Sequence, residues 1–310
     1  MKKVMYSQYG GPEVLQLVEV PQPVVGPNEL LVRVRAVSLN PLDWKIRAGE
    51  MKLVAGSKLP KGVGIDFAGT VERVGAAVHA FQPGQEVFGL LDPLKGGALA
   101  EYVMVTEQQV ARKPAGLSFA QAAALPVVGS SALQVFEQLI KLRPGTELLI
   151  NGASGGIGMV ATQLAKRQGA RVTAVVGPAG LAAARQWGAD AVLNYREQSV
   201  HSLGRRFDAV LDLSGQLPFA QARPLLTPAG VYVHSAPGVK EILGSFWHNL
   251  FSKQKYRVLL LKPKAAYLTT LATSNLNVAI GATYPLADFQ RAYAEVAKGG
   301  IAGKAVFTLE

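Results

Sequence analysis

Through the first hundred or so residues, hydrophobic positions alternate with polar ones over short runs, and Gly and Pro separate the runs. Alternation with a period of two marks half-buried strands. It predicts strands over 15–20, 30–37, 67–74, 86–90 and 100–105. From about residue 122 the pattern changes to continuous short apolar runs separated by helical segments. These runs predict strands over 147–150, 171–176, 191–194, 207–212, 230–234 and 256–261, with helices over 122–124, 131–141, 180–187 and 219–226. Strands and helices in this alternation build a doubly wound parallel sheet. The closing segment, 284–309, returns to a helix and an edge strand over 304–308. The fold class expected is α/β, a parallel-sheet domain inserted into a mainly β domain made from both ends of the chain. The cleft between two such domains is the natural place for a site.

One stretch of this pattern carries chemistry. The apolar run 148–150 passes into Asn151, Gly152, Ala153, Ser154, Gly155, Gly156, Ile157 and Gly158, then into the helical segment 159–166 and the strand 171–176. Ala153, Gly155 and Gly158 hold the three spacing positions of a dinucleotide fingerprint: a tight turn, close approach of backbone to pyrophosphate, and close packing of helix on strand. The first is Ala instead of Gly. Ser154, Gly156 and Ile157 complete the loop, where unpaired amides at the start of a helix favour negative charge. Enzymes that use NAD carry an acid roughly 20 residues beyond the first of these positions to bind the ribose hydroxyls. Here the second strand ends in Val175, Val176, Gly177 and Pro178, and no Asp or Glu stands between 170 and 188. A 2′-phosphate meets no fixed negative charge there, so NADPH is the cofactor expected. Leu213 and Ser214 follow the fourth strand, and Ser235, Ala236 and Pro237 the fifth, at carboxyl ends where ligands gather. They read either as backbone contacts to ribose and nicotinamide or as turn chemistry.

Composition narrows the picture. A chain of 310 residues, 49% hydrophobic and 17% charged, buries a sizeable core and divides into two domains. It has no Cys, which removes disulfides, thiolate nucleophiles and cysteine-based metal sites. His79, His201, His234 and His248 show no pair at helical ligand spacing, so no metal site is expected. The net charge of +11 suits anionic cofactors, nucleic acid or an acidic membrane surface. No aromatic-basic recognition motif accompanies it, and no nucleic-acid partner is expected. One basic concentration, Lys253, Lys255, Arg257, Lys262 and Lys264, follows the aromatic segment 246–251. It reads as a solvated loop beside a buried apolar segment, with weak peripheral membrane contact as the alternative. No run reaches the roughly 20 apolar residues of a membrane span, and the start lacks the apolar core of a secretory signal. A cytoplasmic location is the expectation.

Several motifs in order, Tyr9 to Leu15, Ser38 to Ile46, Gly64 to Val71, Ala124 to Val127, the 152–158 loop and Gly303 to Val306, resemble the medium-chain dehydrogenase/reductase superfamily. The branch they resemble is that of the zinc-free quinone oxidoreductases, and within it the chloroplast-envelope quinone oxidoreductases and their alkenal-reducing relatives. The resemblance implies a GroES-like catalytic domain over 1–122 and 264–310 and a Rossmann domain over 123–263. Zinc-dependent members place Cys in the first loop and His after a Gly in the next. Here 38–43 has no Cys, and Ile65 stands where that His would be.

The same resemblance makes Asn40, Asp43 and Lys45 the active-site loop. Asn40 would bear on substrate or nicotinamide, Asp43 would hold the loop or Lys45, and Lys45 would stabilise developing negative charge. An Asn-Pro turn followed by Asp is also ordinary helix-capping chemistry. Ser131 stands where the family places a Thr against the nicotinamide, although Ser130 and Ser131 equally suit a helix N-terminus. Tyr195 matches a family tyrosine near the adenosine phosphate. The family lysine after the second strand is replaced near Leu181, which leaves Arg185 as the nearest cation. Gly303 and Lys304 match the closing motif and read as structural. The activity implied is metal-free transfer of hydride from NADPH to a small hydrophobic quinone or α,β-unsaturated carbonyl, by a homodimer or a monomer. A non-catalytic NADPH-binding redox sensor or peripheral membrane component is the alternative of a different class.

Overall fold

A computed structural model describes residues 1–235 and 237–309, with the backbone alone at Leu53 and Val54. The chain forms two compact units, one of Met1–Ser130, Pro263–Gly300 and Lys304 onward, the other of Ser131–Lys262 and Ile301–Gly303. The first unit opens with β1 (Lys2–Tyr6), β2 (Leu15–Glu19), β3 (Glu29–Ser38), β4 (Lys61–Gly62), β5 (Asp66–Val74), β6 (Glu86–Leu90), β7 (Tyr102–Thr106) and β8 (Val110–Arg112). A small antiparallel sheet runs β2-β1-β4. In the larger sheet, β3 pairs antiparallel with β5 and β7. β3 buries nearly its whole length, including Leu30, Leu31, Val32, Val34 and Val37, because it is paired on both edges and covered.

The second unit is a single parallel sheet. Its strands are β9 (Glu147–Asn151), β10 (Arg171–Val176), β11 (Ala191–Asn194), β12 (Phe207–Asp212), β13 (Leu226–His234) and β14 (Lys255–Val258), in the order β11-β10-β9-β12-β13-β14. That order reverses direction beside β9, where a doubly wound sheet opens a crevice at its strand ends. The predicted apolar runs are continuous because helices cover both faces of a parallel sheet. Leu148, Leu149, Ile150, Val172 and Ala174 are fully buried. Against one face, Phe219 stacks on Tyr256 at 4.7 Å and Tyr232 meets Tyr256 edge-on at 5.2 Å. Burying one such side chain is worth about 2 kcal/mol.

The aromatic segment 246–251, expected to be buried, is not. It lies on the helix Val239–Phe251, whose Phe246, Trp247, Leu250 and Phe251 are exposed. The helix docks through its polar side instead. The His248 ring stands edge-on to Phe219 at 4.5 Å. The Asn249 side chain donates to Tyr256 O at 2.7 Å and accepts from Tyr256 N at 2.9 Å.

The chain then returns to the first unit with β15 (Ile280–Pro285) and β16 (Lys304–Thr308). Its larger sheet runs β15-β16-β3-β5-β6-β8, with β7 also on β3. β16 is therefore interior and not the expected edge strand, because β15 adds to it in parallel. The registers are specific: Ser38 stands opposite Asp66 and also opposite Val306. Three strand ends that carry Ser38, Asp66 and Lys304 are thereby brought to one place.

Candidate active site

In the first unit, that convergence assembles a buried polar cluster. Asp66 has no exposed surface, and its Oδ2 accepts from Ser38 Oγ at 2.8 Å and from Asn40 Nδ2 at 3.1 Å. Its Oδ1 accepts from the Val127 amide at 2.9 Å, in the first turn of the helix Pro126–Gln134. Lys304 Nζ donates to Asn40 Oδ1 at 2.7 Å and to Leu39 O at 2.6 Å. Asn40 is the N-cap of the helix Pro41–Arg47, with Pro at its first position and Asp43 at its third. Asp43 Oδ2 accepts from the Asn40 amide at 2.9 Å, as a capping carboxylate does.

Burial governs the charges here. It pushes the Asp66 carboxyl up to about 6, against the Lys304 ammonium and the hydrogen bonds from Ser38, Asn40 and Val127. It pushes Asp43 up to about 7, against the amides of Asn40 and Gly64, with the Asp66 charge adding to the rise. The Lys304 ammonium is pushed below its ordinary value by the same burial, opposed by Asp66 and Asp43. Asn40 and Asp43 thus stand together with Asp66, Ser38 and Lys304. Lys45, on the same helix, is half-buried, and its side chain makes no hydrogen bond or ion pair among the described residues. Asn40 uses both ends of its amide within the cluster, so it acts by holding Lys304 and Asp66 in place. Ser131 is buried inside the helix Pro126–Gln134, which begins at Pro126, so neither it nor Ser130 starts that helix.

In the second unit, the loop after β9 has the shape that a pyrophosphate needs. Gly152 takes the turn at φ +83°, where a side chain is strained, so the turn belongs to Gly152 and not to Ala153. Ala153 is buried, and its amide is spent on Val175 O at 3.1 Å. A Cβ on Gly158 would lie 2.4 Å from Ala153 O, so close packing of helix on strand requires glycine there. A Cβ on Gly155 would meet only Gly152 O at 3.5 Å, which leaves the space before this residue open. The helix Gly156–Arg167 begins beside it with no acidic residue in its first turn and no side-chain cap. The amides of Gly156, Ile157 and Gly158 have no acceptor within the helix, and they point the positive end of its dipole outward. Ser154 packs beneath the next turn: a Cβ on Gly180 would lie 2.4 Å from its Cβ.

Two further predicted positions meet. A Cβ on Gly177 would stand 3.2 Å from the Tyr195 ring, which is exposed and lies along the end of β10. Arg196 follows it, exposed, with its amide on Asn194 Oδ1 at 3.1 Å. At the end of β12, buried Asp212 organises the next loop. Its Oδ1 accepts from Asn151 Nδ2 at 2.9 Å, from Ser214 Oγ at 3.0 Å and from Gly215 N at 3.1 Å. Desolvation pushes the Asp212 carboxyl up, but hydrogen bonds from His234, Asn151, Ser214 and Leu217 prevail and hold it below its ordinary value.

Ser214 is consumed by this arrangement. Its hydroxyl donates to Asp212 and accepts from Asn151 Nδ2 at 2.8 Å and Gln216 N at 3.1 Å, and its amide goes to Asp212 at 3.2 Å. The Leu213 amide is likewise spent on Asn151 O at 2.9 Å. Both residues shape the loop, and their carbonyls are what remain for a ligand. The Ser235 amide bonds Asp212 O at 3.1 Å, and Pro237 is half-exposed beyond it. Ala236 lies outside the described residues. Asp212, Asp66 and Lys304 were not foreseen as site residues. For Asp212 the signal was an acid at the end of an apolar strand, and for Asp66 and Lys304 it was their place in the motifs 64–71 and 303–306.

Known proteins share this architecture. Residues 26–115 match the alcohol dehydrogenase GroES-like domain family, and residues 187–307 match the zinc-binding dehydrogenase family. Among the described residues, no group of three or more His, Cys, Asp or Glu stands together as metal ligands would. A chloroplastic quinone-oxidoreductase homolog of Spinacia oleracea is 36% identical over 321 residues, which cover 99% of this chain and 98% of that protein. A chloroplastic NADPH-dependent alkenal/one oxidoreductase of Arabidopsis thaliana is 36% identical over 226 residues, 69% of this chain and 58% of that one. The solved structure of the Escherichia coli quinone oxidoreductase complexed with NADPH superposes with a TM-score of 0.86 at 26% identity, covering 100% of both chains.

Proposed function

Because the chain belongs to the quinone oxidoreductase branch of the medium-chain dehydrogenase/reductase superfamily, we propose that it is an NADPH-dependent reductase of small hydrophobic quinones or α,β-unsaturated carbonyls. The observation that carries this reading is the open space before Gly155, at the start of a helix that has no side-chain cap and no acidic residue in its first turn. It suits an anionic group such as a pyrophosphate. The cofactor, when bound, supplies hydride. The chain's own residues do the rest. Gly156, Ile157 and Gly158 hold the pyrophosphate through their amides. Gly177 and Tyr195 bound the adenosine end, where no carboxylate follows β10 to repel a 2′-phosphate. The carbonyls of Leu213 and Ser214, held by Asp212, face ribose and nicotinamide, as do Ser235 and Pro237.

Hydride delivered to the β-carbon of an enone, or to a quinone, leaves an enolate or phenolate oxygen that needs a donor. The Lys45 side chain, without a partner in the described residues, is that donor, and the oxygen takes its proton from solvent. Asn40, Asp43, Asp66 and Lys304 are positioning residues: they fix the start of the helix that carries Lys45. Ser131 offers its hydroxyl to the nicotinamide amide. Consumption of NADPH in the presence of a quinone and enone panel tests the reading. Turnover supports it, and tight NADPH binding without turnover on any acceptor replaces it with a non-catalytic cofactor-binding role.

A further inference from the structure

Three residues stand in register across the carboxyl ends of the central strands of the parallel sheet: Asn151 of β9, Asp212 of β12 and His234 of β13. Ligands of a doubly wound sheet gather at that edge. Asp212 joins the row. Its Oδ1 accepts from Asn151 Nδ2, and its Oδ2 lies 3.7 Å from His234 Nδ1 on the other side. Tyr232 is two residues back on β13 and so on the same face, with its hydroxyl 3.3 Å from His234 Nδ1. That hydroxyl is also 2.9 Å from Leu217 O and 3.3 Å from Asp212 Oδ2. A carbonyl and an ionised carboxylate can only accept, so they hold the single Tyr232 proton, which burial keeps on the phenol far above its ordinary range. Toward His234 the Tyr232 oxygen is therefore the acceptor, and Nδ1 carries the hydrogen.

The other ring nitrogen is bare. In a neutral imidazole protonated at Nδ1, Nε2 is an acceptor, and His234 Nε2 has no hydrogen-bond partner among the described residues. Glu241, whose charge reaches His234, spends its carboxylate on the Gly238 amide at 2.9 Å. The ring is not sealed in, since 12% of the His234 side chain is exposed. Its Cε1, the atom bonded to Nε2, faces the loop after β12: a Cβ on Gly215 would stand 3.8 Å from it. Gly215 is turned there at φ +71° and fixed by its amide on Asp212. The free edge of the ring thus borders the loop of Leu213 and Ser214. A bare Nε2 is also selective. Phosphate oxygens, which only accept, gain nothing from it, whereas a hydroxyl donates to it. In NADPH the first donors past the pyrophosphate are the hydroxyls of the nicotinamide ribose.

Resting on the reading of the chain as an NADPH-dependent reductase, we propose that His234, held by Asp212 and Tyr232, is a cofactor-binding residue whose Nε2 accepts from a hydroxyl of the nicotinamide ribose. The test is calorimetric titration of the full chain with three ligands. They are NADPH, 2′-phospho-ADP-ribose, which keeps that ribose and lacks nicotinamide, and 2′,5′-ADP, which lacks both. In His234→Asn the side-chain amide keeps the place of Nδ1, and nothing reaches the place of Nε2. In His234→Gln the amide reaches the place of Nε2. His234→Asn is expected to weaken NADPH and 2′-phospho-ADP-ribose about fivefold each, as the loss of one hydrogen bond does. Its affinity for 2′,5′-ADP is unchanged, which also reports an intact sheet. His234→Gln restores most of the lost affinity. His234→Asn that binds all three ligands like the natural protein overturns the proposal. An equal loss on 2′,5′-ADP overturns it as well, because His234 then only shapes the loop. A loss confined to NADPH assigns Nε2 to the carboxamide and overturns it too. Natural protein that binds none of the three refutes the NADPH reading itself, a result distinct from any difference between variants.

Discussion

Lys304 Nζ lies 2.7 Å from Asn40 Oδ1, across 264 residues of sequence. This one contact joins β16 to the N-cap of the helix that carries Lys45. The same Asn40 amide donates to Asp66, so a buried ammonium and a buried carboxylate are held on the two ends of one neutral side chain. Removing either charge strands the other. Lys304→Met is predicted to destabilise the protein by about 3 kcal/mol in chemical denaturation, as broken buried pairs do. Lys304→Met/Asp66→Asn recovers most of that loss, and equal losses in the single and double variants would show that the two charges are not coupled.

The pH dependence of stability follows from the raised carboxyls. Asp43 at about 7 and Asp66 at about 6 both lie above the unfolded value of 3.8, so the folded protein binds more protons in that window. Their contribution is fully present below pH 3.8 and is lost as pH rises through 6 to 7. Stability therefore falls between about pH 4 and pH 7 where these groups dominate. Asp43→Asn removes the charge and keeps an acceptor for the Asn40 amide. Its denaturation midpoint is predicted to depend less on pH across this window than that of the natural protein, and parallel profiles would refute the assignment.

Two neighbouring glycines separate binding from folding. Gly155 has φ −78°, open to any residue, and a Cβ there enters the space before the helix start. Gly155→Val is predicted to leave the unfolding transition in place and to weaken NADPH binding at least about tenfold, or 1.4 kcal/mol. Gly158→Ala forces its Cβ against Ala153 and is predicted to cost about 2 kcal/mol of stability. Calorimetric titration and thermal unfolding of both variants give the comparison.

The Lys45 side chain is half-buried and unpaired among the described residues, so its replacement breaks no hydrogen bond or ion pair there. Lys45→Met is predicted to lower kcat/KM about a hundredfold with NADPH affinity and thermal stability unchanged. Unchanged turnover would remove it from the mechanism.

Much of this was legible in the sequence. The runs 171–176, 191–194 and 207–212 are strands residue for residue, because a continuous apolar run between turn signals has one solution in a parallel sheet. The 152–158 loop was legible for the same reason, apart from which residue takes the turn. The cluster of Asn40, Asp66 and Lys304 was not, because strand register alone brings those residues together. Nor was the outward face of the helix Val239–Phe251. Apolar side chains signal burial by default, and only the anchoring of His248 and Asn249 on β14 and its approach turns them outward.

Single-turnover kinetics probes hydride transfer from NADPH into a conjugated acceptor without interference from product release. Protein premixed with NADPH deuterated at the transferred position is mixed with an enone, and the product is analysed by mass. One deuterium on the β-carbon, a solvent proton on the α-carbon, and a weakened reaction in Gly155→Val are expected of that transfer. NADPH that stays bound and unoxidised with every quinone and enone offered would contradict it.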